Sequence, residues 1–130
     1  MTPDVPGRDL DSYICERFLH WRRIEGTWIS PTGQYASLPL PYSLSIEYAF
    51  SLFELLDELG YSVNMTTLHH SKHKFENNLT VTIVDFEKSA IYQGEAKHAG
   101  EFPLAMCRAI VALVENRPLP LEFVSGKEEP

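Results

Sequence analysis

The stretch that decides the fold is Pro103-Leu-Ala-Met-Cys-Arg-Ala-Ile-Val-Ala-Leu-Val114, in which Arg108 is the one charged residue. Pro103 suits the first turn of a helix, where a missing N–H costs least, and the run stops before Pro118. A helix apolar on every side has no face to give to water. It must be covered by a sheet and by something else. Candidates to cover it lie upstream. Tyr61, Val63, Met65 and Thr67 alternate with Ser62, Asn64 and Thr66, and Leu79, Val81 and Ile83 alternate with Thr80 and Thr82. That period of two marks half-buried strands. A further strand fits residues 89–97, with Gly94 as a bulge.

Before these strands, Ser43 or Ser45 can cap a helix that runs to Leu59 and stops at Gly60. Its buried face is Ile46, Ala49, Phe50, Phe53, Leu56 and Leu59, while Glu47, Glu54, Asp57 and Glu58 face water. At the start of the chain, Leu10, Ile14, Phe18 and Trp21 form one apolar stripe, which predicts a helix over 9–22. Asp9 and Asp11 at its beginning and Arg22 and Arg23 at its end complement the helix dipole, and Gly26 stops it. Residues 27–36 read as a short hairpin turning at Pro31-Thr-Gly33. Leu38-Pro-Leu-Pro41 is a stiff extended connector. The expected order is α-β-β-α-β-β-β-α: an α+β single domain over residues 1–130, mostly antiparallel sheet with helices packed on it as an α/β/α sandwich. The ordered core spans 9–117, and 118–130 reads as a loose tail.

Composition sets the outer limits. The chain has 130 residues, 44% hydrophobic and 22% charged, which suits one folded domain. Its formal charge of −7 argues against DNA or RNA polymers, whose binders need a basic face. A small anion needs only a few local cations. The first residues lack a basic, apolar leader, and no apolar run is long enough for a membrane span. Cys15 and Cys107 then read as buried free thiols. The expected location is the cytoplasm.

Signatures of catalysis are missing: no Gly-rich phosphate loop, no Gly-x-Ser-x-Gly elbow and no Cys-x-x-Cys pair. No catalytic residue, metal or cofactor is expected. His69, His70 and His73 could hold a divalent metal, or be a solvated loop, or join Lys72 and Lys74 in a cationic lip for an anion. Arg108 is more informative, since an isolated buried charge is costly. It can pair with Glu47 or Asp57, let its stem snorkel to the surface, or hold a phosphate bidentately. Arg22 and Arg23 beside Trp21, with Trp28 and Tyr42 following, could supply cations and stacking rings for a nucleotide, or be ordinary packing.

Leu10–Trp21, Trp28–Tyr35, Pro41-Tyr-Ser43 and Phe102-Pro-Leu-Ala-Met-Cys-Arg-Ala109 together resemble the phage α/β/α-sandwich domain family. His20 stands where that family tends to have Gly. Within this size class the chain also resembles phage anti-defence sponges of the Thoeris type. That resemblance implies a protein of the infected bacterial cytoplasm that sequesters a cyclic nucleotide or cyclic ADP-ribose signal without cleaving it. It also implies a homo-oligomer with ligand at a subunit interface. Arg108 would be the ligand-binding residue in the matching motif, with Arg22, Arg23, Trp21, Trp28, Tyr42, Lys72 and Lys74 as further candidates. The alternative is a small interaction module that uses the acidic face of the second helix.

Overall fold

The computed structural model describes residues 3–37, 39–67 and 79–119. Helix α1 (Arg8–Tyr13) runs into a π-helical turn (Ile14–Phe18). Strands β1 (Arg22–Ile24), β2 (Thr27–Ile29) and β3 (Tyr35–Ala36) form one antiparallel sheet. After helix α2 (Ile46–Glu58), strands β4 (Ser62–Thr67), β5 (Leu79–Asp85) and β6 (Ala90–Ala96) form a second antiparallel sheet in that order. A 3-10 turn (Ala99–Glu101) leads into helix α3 (Phe102–Val114). This is an α+β domain with helices packed on a sheet, in the order α-β-β-β-α-β-β-β-α.

The strand missing from the expected order is β1, which the apolar stripe assigns to the first helix. The helix ends earlier because Leu19 N–H donates to the Ile14 carbonyl at 3.0 Å, a π-type bond, and His20 turns left-handed at φ 61. Arg22 and Arg23 therefore lie on a strand and not at a helix C-terminus. They pair with Ile29 and Trp28, across a two-residue turn in which Glu25 and Gly26 have φ 50 and 81. Two positive φ values in a row match the right-handed twist of a hairpin. Gly26 is thus a hairpin residue and not a helix stop.

The second sheet follows the alternation closely. Leu79, Val81 and Ile83 are buried and Thr80, Thr82 and Val84 half-buried. Helix α3 packs across β5 and β6 and against α2 and the π turn, so its surface is covered within the chain. From Phe102 to Ala112 every residue is buried except Arg108. The cover that the apolar run requires beyond the sheet is supplied by α2 and the π turn. Helix α2 starts at Ser45, whose hydroxyl accepts from Tyr48 N–H. It buries Ala49, Leu52 and Leu56, whereas Ile46, Phe50 and Leu59 are about half exposed.

Pro41-Tyr-Ser43 ties the first helix to the second. Ser43 N–H donates to Asp11 Oδ1 at 2.7 Å, and Gly7 N–H donates to Ser43 Oγ at 2.9 Å. Asp11 is buried, so desolvation pushes its carboxyl above the ordinary value, and the Ser43 bonds pull it part of the way back.

Candidate functional site

Gly94 positions the site. It is not a bulge, since the β5–β6 ladder runs unbroken through Val81↔Gly94. A Cβ at Gly94 would run into the Ala105 carbonyl oxygen and the Ala109 nitrogen. Glycine lets α3 lie on β6 at backbone contact, a recognised use of glycine within strands. With the two backbones this close, Arg108 leaves the helix flank at the sheet edge.

Beside it opens a cleft of about 580 Å³ between the edge of β6 and the C-terminal half of α3. Its walls include Gln93, Gly94, Glu95, Arg108, Glu115 and Arg117, with Pro3 and Asp4 at the side. The guanidinium of Arg108 is fully engaged. Nη1 donates to the Glu95 carbonyl at 2.7 Å, and Nε and Nη2 donate to the Asp4 carbonyl at 3.0 and 2.7 Å. Nε also lies 3.1 Å from Asp4 Oδ1. The partner is thus Asp4, neither Glu47 nor Asp57. The Arg108 side chain is 28% exposed and that of Asp4 81%.

The cleft's charge is mixed. Glu115 accepts from the Tyr13 hydroxyl at 2.9 Å and from Arg117 Nε at 3.0 Å. Burial, then the bond and charge of Glu115, raise the Tyr13 hydroxyl above its ordinary value. Two arginines therefore line the cleft with the carboxylates of Asp4 and Glu115, and Glu95 contributes its backbone carbonyl. Such a lining can take phosphate oxygens on its guanidinium groups and sugar hydroxyls on its carboxylates. None of the described lining residues is Ser, Cys or His.

The other candidates lie apart from this cleft. Trp28 is 1% exposed in the core, and Arg23 lies over its ring at 5.6 Å as a cross-strand pair. Arg22 is exposed on β1, and Trp21 is partly buried against the core. Tyr42 is buried, which pushes its hydroxyl well above the usual phenol range. These residues line no part of the cleft that holds Arg108. Lys72, Lys74, His69, His70 and His73 lie outside the described residues. Among the described residues, no group of His, Cys, Asp and Glu is arranged to hold a metal. No described helix is long and apolar enough to cross a membrane.

Asp4, Gln93, Glu95, Glu115 and Arg117 join Arg108 at the cleft without any signal in the linear pattern.

No family model matches the chain, and no curated protein matches it. The fold is similar to that of a phage protein from Bacillus cereus ATCC 14579, known from its crystal structure. The two share 20% identity over 87% of this chain and 90% of that one, with a TM-score of 0.56. At that identity the likeness concerns the fold.

Proposed function

We propose that the chain is a phage anti-defence protein that binds a cyclic nucleotide or cyclic ADP-ribose signal in the Arg108 cleft and holds it without cleaving it. The observation that carries this reading is the pairing of a guanidinium fork with carboxylates around one cleft of about 580 Å³. That volume lies within the roughly 300–1,000 Å³ of small-molecule sites. A phosphate can take the fork bidentately while ribose hydroxyls donate to Glu115. Val111, Ala112 and Pro3 offer apolar walls for the remainder. Sequestration asks for no nucleophile or positioned base, only affinity. The resemblance to sponge proteins supplies the class of ligand, and the fold likeness to a phage protein is in keeping with a phage chain.

The test is a thermal-shift panel of cyclic nucleotides and ADP-ribose derivatives. Ligand at one hundred times its Kd should add about 2.7 kcal/mol, or about 10 °C in Tm. Arg108→Ala should abolish the shift while Arg23→Ala, on the opposite sheet, should keep it. Heat denaturation of the loaded protein should return intact ligand, and recovery of a cleaved product would make the protein an enzyme.

A second reading, an interaction module, is favoured by the apolar side chains left exposed on α2 and β4. Ile46 and Phe50 on α2, the helix that carries Glu47, Glu54, Asp57 and Glu58, are 51 and 50% exposed, and Met65 on β4 is 54% exposed. Stoichiometric co-purification of one protein, lost in Phe50→Ser and insensitive to Arg108→Ala, is its expected outcome.

A further inference from the structure

We infer that the N-terminal segment around Asp4 is a built-in competitor that occupies the anion position on Arg108 and must be exchanged for the incoming ligand. This rests on the reading of the cleft as an anion site.

The geometry is that of a ligand mimic. Asp4 presents two oxygens to one guanidinium, its carbonyl to Nε and Nη2 and its Oδ1 to Nε. A phosphate or carboxylate engages arginine in the same two-oxygen manner. Glu95 accepts from the remaining Nη1 through its carbonyl, a bond from the strand backbone that a ligand need not disturb.

The hold on Asp4 is weak. Its side chain is 81% exposed, and the neighbouring Val5 is 68% exposed. Ion pairs at such exposure are worth little. The segment is pinned at Gly7, which stands at φ 139 and donates to Ser43 Oγ at 2.9 Å. Residues 3–6 can move off Arg108 without disturbing α1, whose first backbone bond, Asp11 N–H to the Gly7 carbonyl, starts at the anchor itself.

Charge makes exchange the condition for entry. With Asp4 in place, Arg108 is paired with Asp4 and Arg117 with Glu115, so an added anion meets guanidinium groups whose charge is already balanced. Once Asp4 leaves, Arg108 loses the carboxylate that balances it, and an anion arrives in place of the departed charge. Phosphate-bearing ligands that offer two oxygens to one face can replace both Asp4 contacts, whereas singly coordinating anions cannot. The segment thus sets both a threshold and a selection at the cleft.

The experiment uses the full chain with inorganic pyrophosphate as probe. Titration calorimetry compares wild type with Asp4→Ala and Arg108→Lys, and the Arg108 Nε–H resonance is followed by NMR. Asp4→Ala should bind pyrophosphate about two- to five-fold more tightly, the range an exposed ion pair can supply. Arg108→Lys should lose most of the affinity. In wild type the Arg108 Nε–H signal should move on adding pyrophosphate, and in Asp4→Ala it should already be displaced before any addition. Because Asp4→Ala keeps the carbonyl that accepts from Nε and Nη2, a chain lacking residues 1–4 is titrated as well; equal affinities for wild type and both variants, with binding still dependent on Arg108, would overturn the competitor and leave the cleft reading standing. Pyrophosphate binding to neither protein, with an Arg108 signal unmoved by Asp4→Ala, would overturn both.

Discussion

His20 and Gly94 are single positions where backbone geometry and residue type meet in opposite ways. His20 stands at φ 61, a left-handed conformation that costs an L-residue about 1–2 kcal/mol, whereas glycine adopts it freely. The imidazole is exposed, so little packing is lost with it. After subtracting the roughly 0.5–1 kcal/mol that a glycine's greater freedom costs in the unfolded chain, His20→Gly should stabilise the fold by about 0.5–1 kcal/mol. Urea unfolding measures this through a higher midpoint at constant slope. Gly94 is the reverse case. Its absent Cβ is what allows α3 to touch β6, and the atoms in the way, Ala105 O and Ala109 N, are backbone and cannot rotate aside. Gly94→Ala should therefore cost about 3 kcal/mol, the upper part of the usual overpacking range. It should also shift the Arg108 cleft, because the helix must lift from the strand. A Gly94→Ala protein with an unchanged Tm would mean that the two backbones are not in contact.

At the scale of elements, the buried Asp11–Ser43 bond holds α1 to the lead-in of α2. Removing its acceptor in Asp11→Ala leaves the Ser43 N–H buried without a partner, a loss of about 1–3 kcal/mol. Asp11→Asn keeps an acceptor oxygen and removes the charge, and this separates hydrogen bonding from ionisation. Burial raises the Asp11 carboxyl above 3.8, so the folded state binds this proton more tightly than the unfolded chain does. The group's contribution to stability is then greatest below 3.8 and is lost as pH rises through the raised value. Asp11→Asn should accordingly compare best with wild type at neutral pH, and its standing should worsen as pH falls toward 3.8. Melting curves from pH 7 to 3.5 give the sign. The same elements show what is legible in a linear sequence. The alternation along Leu79–Ile83 and the apolar run of α3 are local patterns, and both elements form as those patterns require. The first helix is misjudged because Phe18 and Trp21 continue its spacing, while the left-handed turn at His20 that interrupts it carries no glycine. Arg108 is conspicuous from its own neighbours. Asp4, which meets it, lies 104 positions away and no local pattern could have joined the two.

For the whole molecule, the two cysteines report whether the core opens as one unit. Cys15 lies in the π turn and Cys107 in α3, both at 0% exposure within one cluster of buried side chains. Burial pushes the Cys15 thiol up to about 11 and the Cys107 thiol higher still. Thiolate, the reactive form, is therefore scarce at pH 8 even before access is considered. Reaction with an alkylating reagent then has to pass through an opened state in which both thiols regain ordinary acidity. Because α3 packs on the π turn, opening one side uncovers the other. Mass spectrometry of the native protein at pH 8 should show doubly modified chains appearing without a singly modified precursor. The rate should fall in proportion when a ligand raises the free energy of opening. Selective early labelling of Cys15 would mean instead that α1 and its π turn detach while α3 stays on the sheet. Since Gly7 anchors both α1 and the Asp4 segment, detachment of that kind would also carry Asp4 away from Arg108. Labelling of Cys15 would then quicken, not slow, when pyrophosphate displaces the segment, and the direction of that change distinguishes a cooperative core from a loose first helix.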